Sequence, residues 1–238
     1  MNAAQSKLAE LLVENQRLRA RGANPPEFAA RLAQLRQWQA SRLAETYSDL
    51  HTEPRYRAAV EFFLNDLYGP YDFADRDADL LRVHKVMERL LPARARRALE
   101  LAIELEVLSQ RLDLAVTEAL EPGPIDAQRY AAAYRRADQR DARERQIELI
   151  GVNGRYLDEI VKRPIIHRLV HLARGPAHAA GFGALQEFLE RGFDAFRTMG
   201  GAEDFLATVS ARETQIMQRL LAGTPDPFAV ERRAAESR

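Results

Sequence analysis

The sequence predicts an all-α protein, a bundle of about eight to ten helices around one buried central helix and without a sheet. Apolar residues recur at steps of three and four along nearly the whole chain, and no run alternates apolar and polar residues between turn signals. Proline and glycine fall where one apolar rhythm stops and the next begins. The 238 residues are 46% hydrophobic and 29% charged, a balance that buries a core and solvates its outside.

Each element follows from that rhythm. Leu8, Leu11 and Leu18, with Asn15 completing two heptads, predict an amphipathic helix over residues 1–22 that packs on another helix. Asn24-Pro25-Pro26 ends it, because proline cannot continue a helix and the residue before it avoids the α region. A second helix from Pro26 to about Leu50 carries Phe28, Leu32, Leu35, Leu43 and Tyr47 on one stripe. After Glu53-Pro54, Tyr56, Val60, Phe63 and Leu67 define a third, stopped by Gly69-Pro70. Leu80, His84, Met87 and Leu91 share the face of a fourth.

The fifth, from Pro92 to about Leu120, is the expected centre. Leu101, Leu105, Leu108, Leu112 and Val116 form one stripe and Leu99, Ile103, Val107 and Leu114 another, leaving a narrow polar strip of Arg97, Glu100, Glu104, Arg111 and Glu118. Pro122-Gly123-Pro124 marks a turn, and a charge-dense helix is expected over residues 127–143. Ile147, Ile150, Gly154, Leu157 and Val161 keep phase through Gly151 and Gly154, which favours one continuous helix. Pro164 opens a short helix to Arg174, Gly175-Pro176 opens one reaching Met199, and Leu206, Val209, Ile216 and Leu220 define the last. Residues 223–238 read as a disordered tail, leaving 25–222 as a single bundle domain whose one candidate subdomain boundary is near 121–125.

The heptapeptide Phe62-Phe63-Leu64-Asn65-Asp66-Leu67-Tyr68 resembles the signature of the FFLEELY motif proteins, an uncharacterised bacterial family, with Asn65 and Asp66 in place of two glutamates. Residues 185–193, Leu-Gln-Glu-Phe-Leu-Glu-Arg-Gly-Phe, are similar to that family's C-terminal half. The resemblance implies a helical bacterial protein and lends no catalytic residue.

Composition excludes several functions. Lys plus Arg number 35 and Asp plus Glu 35, so no net charge draws the chain to nucleic acid or to an anionic membrane. Without cysteine there are no disulfides, thiolate metal sites or thiol nucleophiles. Lys7, Glu10 and Glu14 interrupt the N-terminal leucines, so neither a signal peptide nor a membrane span is expected, and the expected location is cytoplasmic. No phosphate loop, dinucleotide glycine motif or Gly-x-Ser-x-Gly elbow occurs.

Few residues suggest chemistry. His167 and His171 stand four apart, the spacing for two ligands of one metal, but no glutamate follows His167 and Arg163 and Arg174 share the stripe. The expectation is therefore no metal; the stripe of Arg163, His167, His171 and Arg174 reads as a solvated cationic face or, as the one specific site it could form, a holder of an anionic small molecule. Asp75, Asp77 and Asp79 start like a calcium loop, yet Leu80 and Val86 occupy its glycine and bidentate positions. His84 and Glu213 each interrupt an apolar face and need a partner if buried. Arg135, Arg136, Arg140, Arg143 and Arg145 alternate with Asp138, Asp141 and Glu144, the pattern of ion pairs on a wet face.

The reading these features favour is a non-catalytic helical protein that binds a protein partner or itself, with no cofactor; Phe62, Phe63, Tyr68 and Tyr71 form either a corner of the core, as large aromatics usually do, or partner-binding anchors. The alternative is a ligand-binding or enzymatic bundle with an aromatic-lined pocket, to which His84 or Glu213 contributes, or with the anion site on the cationic stripe.

Overall fold

A computed structural model describes residues 7–67, 79, 82 and 93–230. Among them there is no strand, and the chain is all-α. Helix α1 spans Lys7–Gly22, α2 Pro26–Thr46, α3 Ser48–Thr52 and α4 Pro54–Phe62, the last running into a π-helical turn over Phe63–Leu67. Beyond the undescribed residues come α5 (Ala93–Ala119), α6 (Ala127–Ala137), α7 (Arg140–Val161), α8 (Pro164–Leu172), α9 (Arg174–Ala179), α10 (Gly183–Met199) and α11 (Glu203–Ala222). No helix among the described residues is long and apolar enough to cross a membrane.

Helix α5 is the axis. Its Leu101, Ile103, Val107, Leu112, Leu114 and Val116 are all buried, and α1, α2, α6 and α7 pack around it. Leu105, expected at the very centre, is only partly buried. Helix α1 lays Leu8, Leu12 and Leu18 on α5, as its heptads required. A second cluster joins α4, α7, α10 and α11 through Tyr56, Val60, Ile150, Phe193, Phe196 and Phe205. A third holds Leu35, Tyr130, Tyr134, Ile216 and Leu220 together.

Four boundaries differ from the periodicity. The second helix breaks at Tyr47. The charge-dense helix ends at Ala137 because Asp138 turns left-handed at φ 46°. The helix expected from Gly175 to Met199 is two helices, separated at Gly181 with φ +78°. Residues 223–230, expected to be disordered, place Phe228 against Trp38 (5.6 Å) and Tyr130 (6.0 Å), because the two rings leave an apolar surface that a third one covers. Helix α7, in contrast, passes unbroken through Gly151 and Gly154, and Gly154 lets Leu206 of α11 approach its backbone.

Candidate functional site

The first side chains to place are those singled out from the sequence. Phe62 is 6% exposed, packs on Phe188 (ring centroids 5.4 Å) and lies over Gly192, so it offers no free anchor to a partner. Phe63 turns inward as well, 5.6 Å from Phe205. Phe62 is consumed by the core because α10 crosses α4 at this point, and Phe63 because α11 brings Phe205 against it. Tyr68, Tyr71 and His84 lie outside the described residues. Of the aspartate series only Asp79 is described; it is buried, pairs with Arg82 and accepts the Leu185 backbone N–H at 3.4 Å, at the start of α10.

The cationic stripe is met by carboxylates of α10. Arg174 forms a bidentate pair with the buried Glu190, through Nε at 2.9 and 3.0 Å and through Nη2. The Arg174 hydrogen bonds lower the Glu190 pKa to about 2 despite burial, with Gln186 adding a third donor. His167 and His171 come together beside Asp194, while Arg163 stays exposed at the head of α8. The structure thus joins the histidines to acids and removes Arg174 from them.

Glu213 leads to a different place. Its Oε1 accepts hydrogen bonds from Arg42 Nη1 and from the Tyr47 hydroxyl, each at 2.8 Å. Burial works against the Arg42 charge, but Glu213 and the nearby tyrosines outweigh it and the arginine pKa is raised. Burial first, then the Glu213 carboxylate, push the Tyr47 pKa well above the usual phenol value, so Tyr47 remains a donor.

These groups border a partly open pocket of about 150 Å³ between α2, α5, α7 and α11. A dry void of comparable size holds a benzene-sized body. Each helix contributes one face: Arg36, Gln39 and Leu43 from α2; Glu106, Ser109, Gln110 and Asp113 from α5; Arg143, Gln146, Ile147 and Ile150 from α7; Val209, Glu213, Ile216 and Leu220 from α11. Val60, Phe63, Tyr130, Tyr134 and Phe205 complete an aromatic and aliphatic wall.

Inside it the charges do not cancel. The lining holds four arginines, Arg19, Arg36, Arg42 and Arg143, and three carboxylates, Glu106, Asp113 and Glu213, an excess of one positive charge. Arg19 pairs with Glu106 at 3.1 Å, Arg36 with Asp113 at 3.2 Å and Arg42 with Glu213. Arg143, 9% exposed, has no carboxylate among the described residues: its Nη1 donates to Gln146 at 3.1 Å and its guanidinium lies 4.7 Å from the Tyr134 ring centre. Arg143 Nη2 and Arg42 Nε are buried donors without a hydrogen-bond acceptor.

The sequence marked Glu213 but not the rest of this site. The signal present was a second polar stripe on α5, Glu106-Ser109-Gln110-Asp113 at steps of three, one and three, bounded by leucines. By its spacing Arg143 belongs to a wet face, and its neighbour Arg140 does make an expected intrahelical pair, with Glu144, while Arg145 pairs with Glu148.

The fold and the cavity define an all-α bundle with a polar, cationic interior pocket. The chain belongs to the family described as Domain of unknown function (DUF8198), whose model matches residues 18–227. No curated protein and no solved structure matches the chain.

Proposed function

We propose that this protein is a non-enzymatic binder of a small organic anion, a carboxylate or phosphate on an apolar body, held in the central cavity. One observation carries the reading: Arg143 is a buried guanidinium without a counter-charge among the described residues, and it lines a space large enough for a ligand. An unpaired buried charge costs several kcal/mol by rough estimate, and an anion that pairs with it recovers that cost on binding. The Arg143 guanidinium, which lines the cavity, supplies the charge, and Val60, Phe63 and Phe205 receive the body. A bacterial, FFLEELY-type origin and a cytoplasmic location belong to the same reading, since both rest on the sequence.

The probe is benzoate, with benzamide as the neutral control of the same shape. Calorimetry on the full chain is expected to find one benzoate per chain and no benzamide binding. Arg143→Met should weaken benzoate at least about tenfold, the effect of losing a charge-assisted hydrogen bond worth ~1.5–3 kcal/mol. Equal affinity for the variant and the parent, or no binding of benzoate, aliphatic carboxylates or phosphate, overturns the reading.

A second reading, self-association, is favoured by one feature of α8. Ile166 and Val170 pack inward, whereas Ile165, Leu169 and Leu172, which are 67%, 58% and 73% exposed, form an uncovered apolar ridge. Light scattering checks it: a dimer that Leu169→Glu converts to monomer supports it, and a monomeric parent protein refutes it.

A further inference from the structure

The stripe that looked cationic in sequence becomes, in three dimensions, a set of converging metal ligands. His167 and His171 lie one turn apart on α8, and α10 brings Asp194 against them. His167 Nε2 is 3.0 Å from His171 Nε2 and 3.2 Å from Asp194 Oδ1, and His171 Nε2 is 3.4 Å from the same oxygen. Around a tetrahedral ion with bonds of about 2.0–2.1 Å, adjacent ligand atoms stand about 3.3–3.4 Å apart, so the triangle nearly has the required edges.

Proton counting makes the triangle more than a hydrogen-bonded cluster. The buried Glu190 carboxylate, fixed by Arg174 and by Gln186 Nε2 at 3.0 Å, places Oε1 3.7 Å from His171 Nδ1. A carboxylate on that side, although too far for a direct hydrogen bond, favours the Nδ1–H tautomer electrostatically and leaves the Nε2 lone pair facing His167 and Asp194. With neutral rings, a single N–H from His167 then serves two acceptors, His171 Nε2 and Asp194 Oδ1. A cation at the centre satisfies all three lone pairs at once. Carboxylates that orient a ligating histidine from behind are a common feature of zinc sites. Of the two arginines that argued against a metal, Arg174 is neutralised by that same Glu190, and Arg163 stays exposed at the head of α8.

We propose that His167 Nε2, His171 Nε2 and Asp194 Oδ1 bind one divalent transition-metal ion of the zinc type, with Glu190 as the positioning residue behind His171. Two imidazoles and one carboxylate suit zinc, iron(II) or cobalt(II) and disfavour calcium and magnesium, which take all-oxygen shells. Three protein ligands leave coordination positions open, and the site has room for them: the Asp194 side chain is 55% exposed. His167 also borders a surface cleft of about 320 Å³ shared with Lys162, Phe196, Arg197 and Gly201. The site is separate from the central cavity and does not depend on the anion-binding reading.

The test uses cobalt(II), whose visible bands report a low-symmetry N/O site, on full-length protein first treated with a chelator. The bands are expected to saturate at one cobalt per chain and to be displaced by one equivalent of zinc. His167→Gln with His171→Gln should abolish them, and Glu190→Gln should weaken cobalt about 10- to 100-fold while leaving all three ligands in place. Circular dichroism melts confirm that the variants fold; if the double variant does not, imidazole 15N spectra of the parent protein decide, because zinc must shift the Nε2 resonances of two histidines. No saturable bands, bands that survive the double variant, or histidine resonances that respond to inorganic phosphate and not to zinc each overturn the proposal.

Discussion

Gln110 Nε2 donates to Asn15 Oδ1 at 3.2 Å across the interface of α1 and α5, 95 residues apart in the chain. Asn15 occupies the polar heptad position of an otherwise leucine-lined helix because the stripe it faces on α5 is itself polar. Asn15→Ala removes the acceptor and leaves part of a buried amide unsatisfied, at a cost of about 1–3 kcal/mol. Chemical denaturation measures it; a change within about 0.5 kcal/mol would contradict a specifying role.

The Arg143 charge sets stability against binding. Arg143→Met keeps an unbranched apolar stem, shorter by the outer guanidinium atoms, and removes the unpaired charge, so the ligand-free melting temperature should rise, by about 2–4 °C for each kcal/mol recovered in a chain of this size. The same variant should lose the thermal shift given by benzoate. A melting temperature below that of the parent would mean that Arg143 is satisfied in the folded protein.

A methyl group on Gly154 would lie 2.3 Å from Leu206 Cδ2 and 2.8 Å from Cδ1, closer than atoms approach. Leu206 is fully enclosed in the second cluster and has little room to yield. Gly154→Ala gains helix propensity, roughly 1 kcal/mol, but overpacking of this kind costs about 1–3 kcal/mol. Net destabilisation is expected in a thermal melt, and stabilisation would show that α7 and α11 separate freely.

Leu112 is 1% exposed on the central helix. Leu112→Ala should cost about 2–5 kcal/mol through the cavity it leaves, and more than Leu105→Ala, whose site is only partly buried. Parallel urea titrations of the two variants check the order.

Acid should act through Glu190. Its pKa is depressed to about 2 by Arg174, against an unfolded value near 4.5, so the stabilisation it gives is full above about pH 4.5 and is lost as pH falls toward 2. Glu190→Gln should flatten the part of the stability–pH curve between those values, measured at constant ionic strength. An unchanged slope would show that the pair with Arg174 does not persist in solution.

How much of this was legible in the sequence depends on the range of the interaction. The sequence by itself determined the helices, because apolar spacing, Pro54 and Pro164 at helix starts, and glycine at the end of α10 act within a few residues. It also showed that His167 and His171 share a face, since four residues are one helical turn. Only the tertiary structure decided what stands opposite a face. Arg42 and Glu213 are 171 residues apart, and Asp194 and Glu190 reach the histidines from another helix, so the stripe changed from cationic to acid-flanked once α10 was in place. Polar residues on an amphipathic helix are spaced alike whether they meet water or a cavity, because periodicity fixes a direction around the helix axis and the neighbouring helix fixes what lies in that direction.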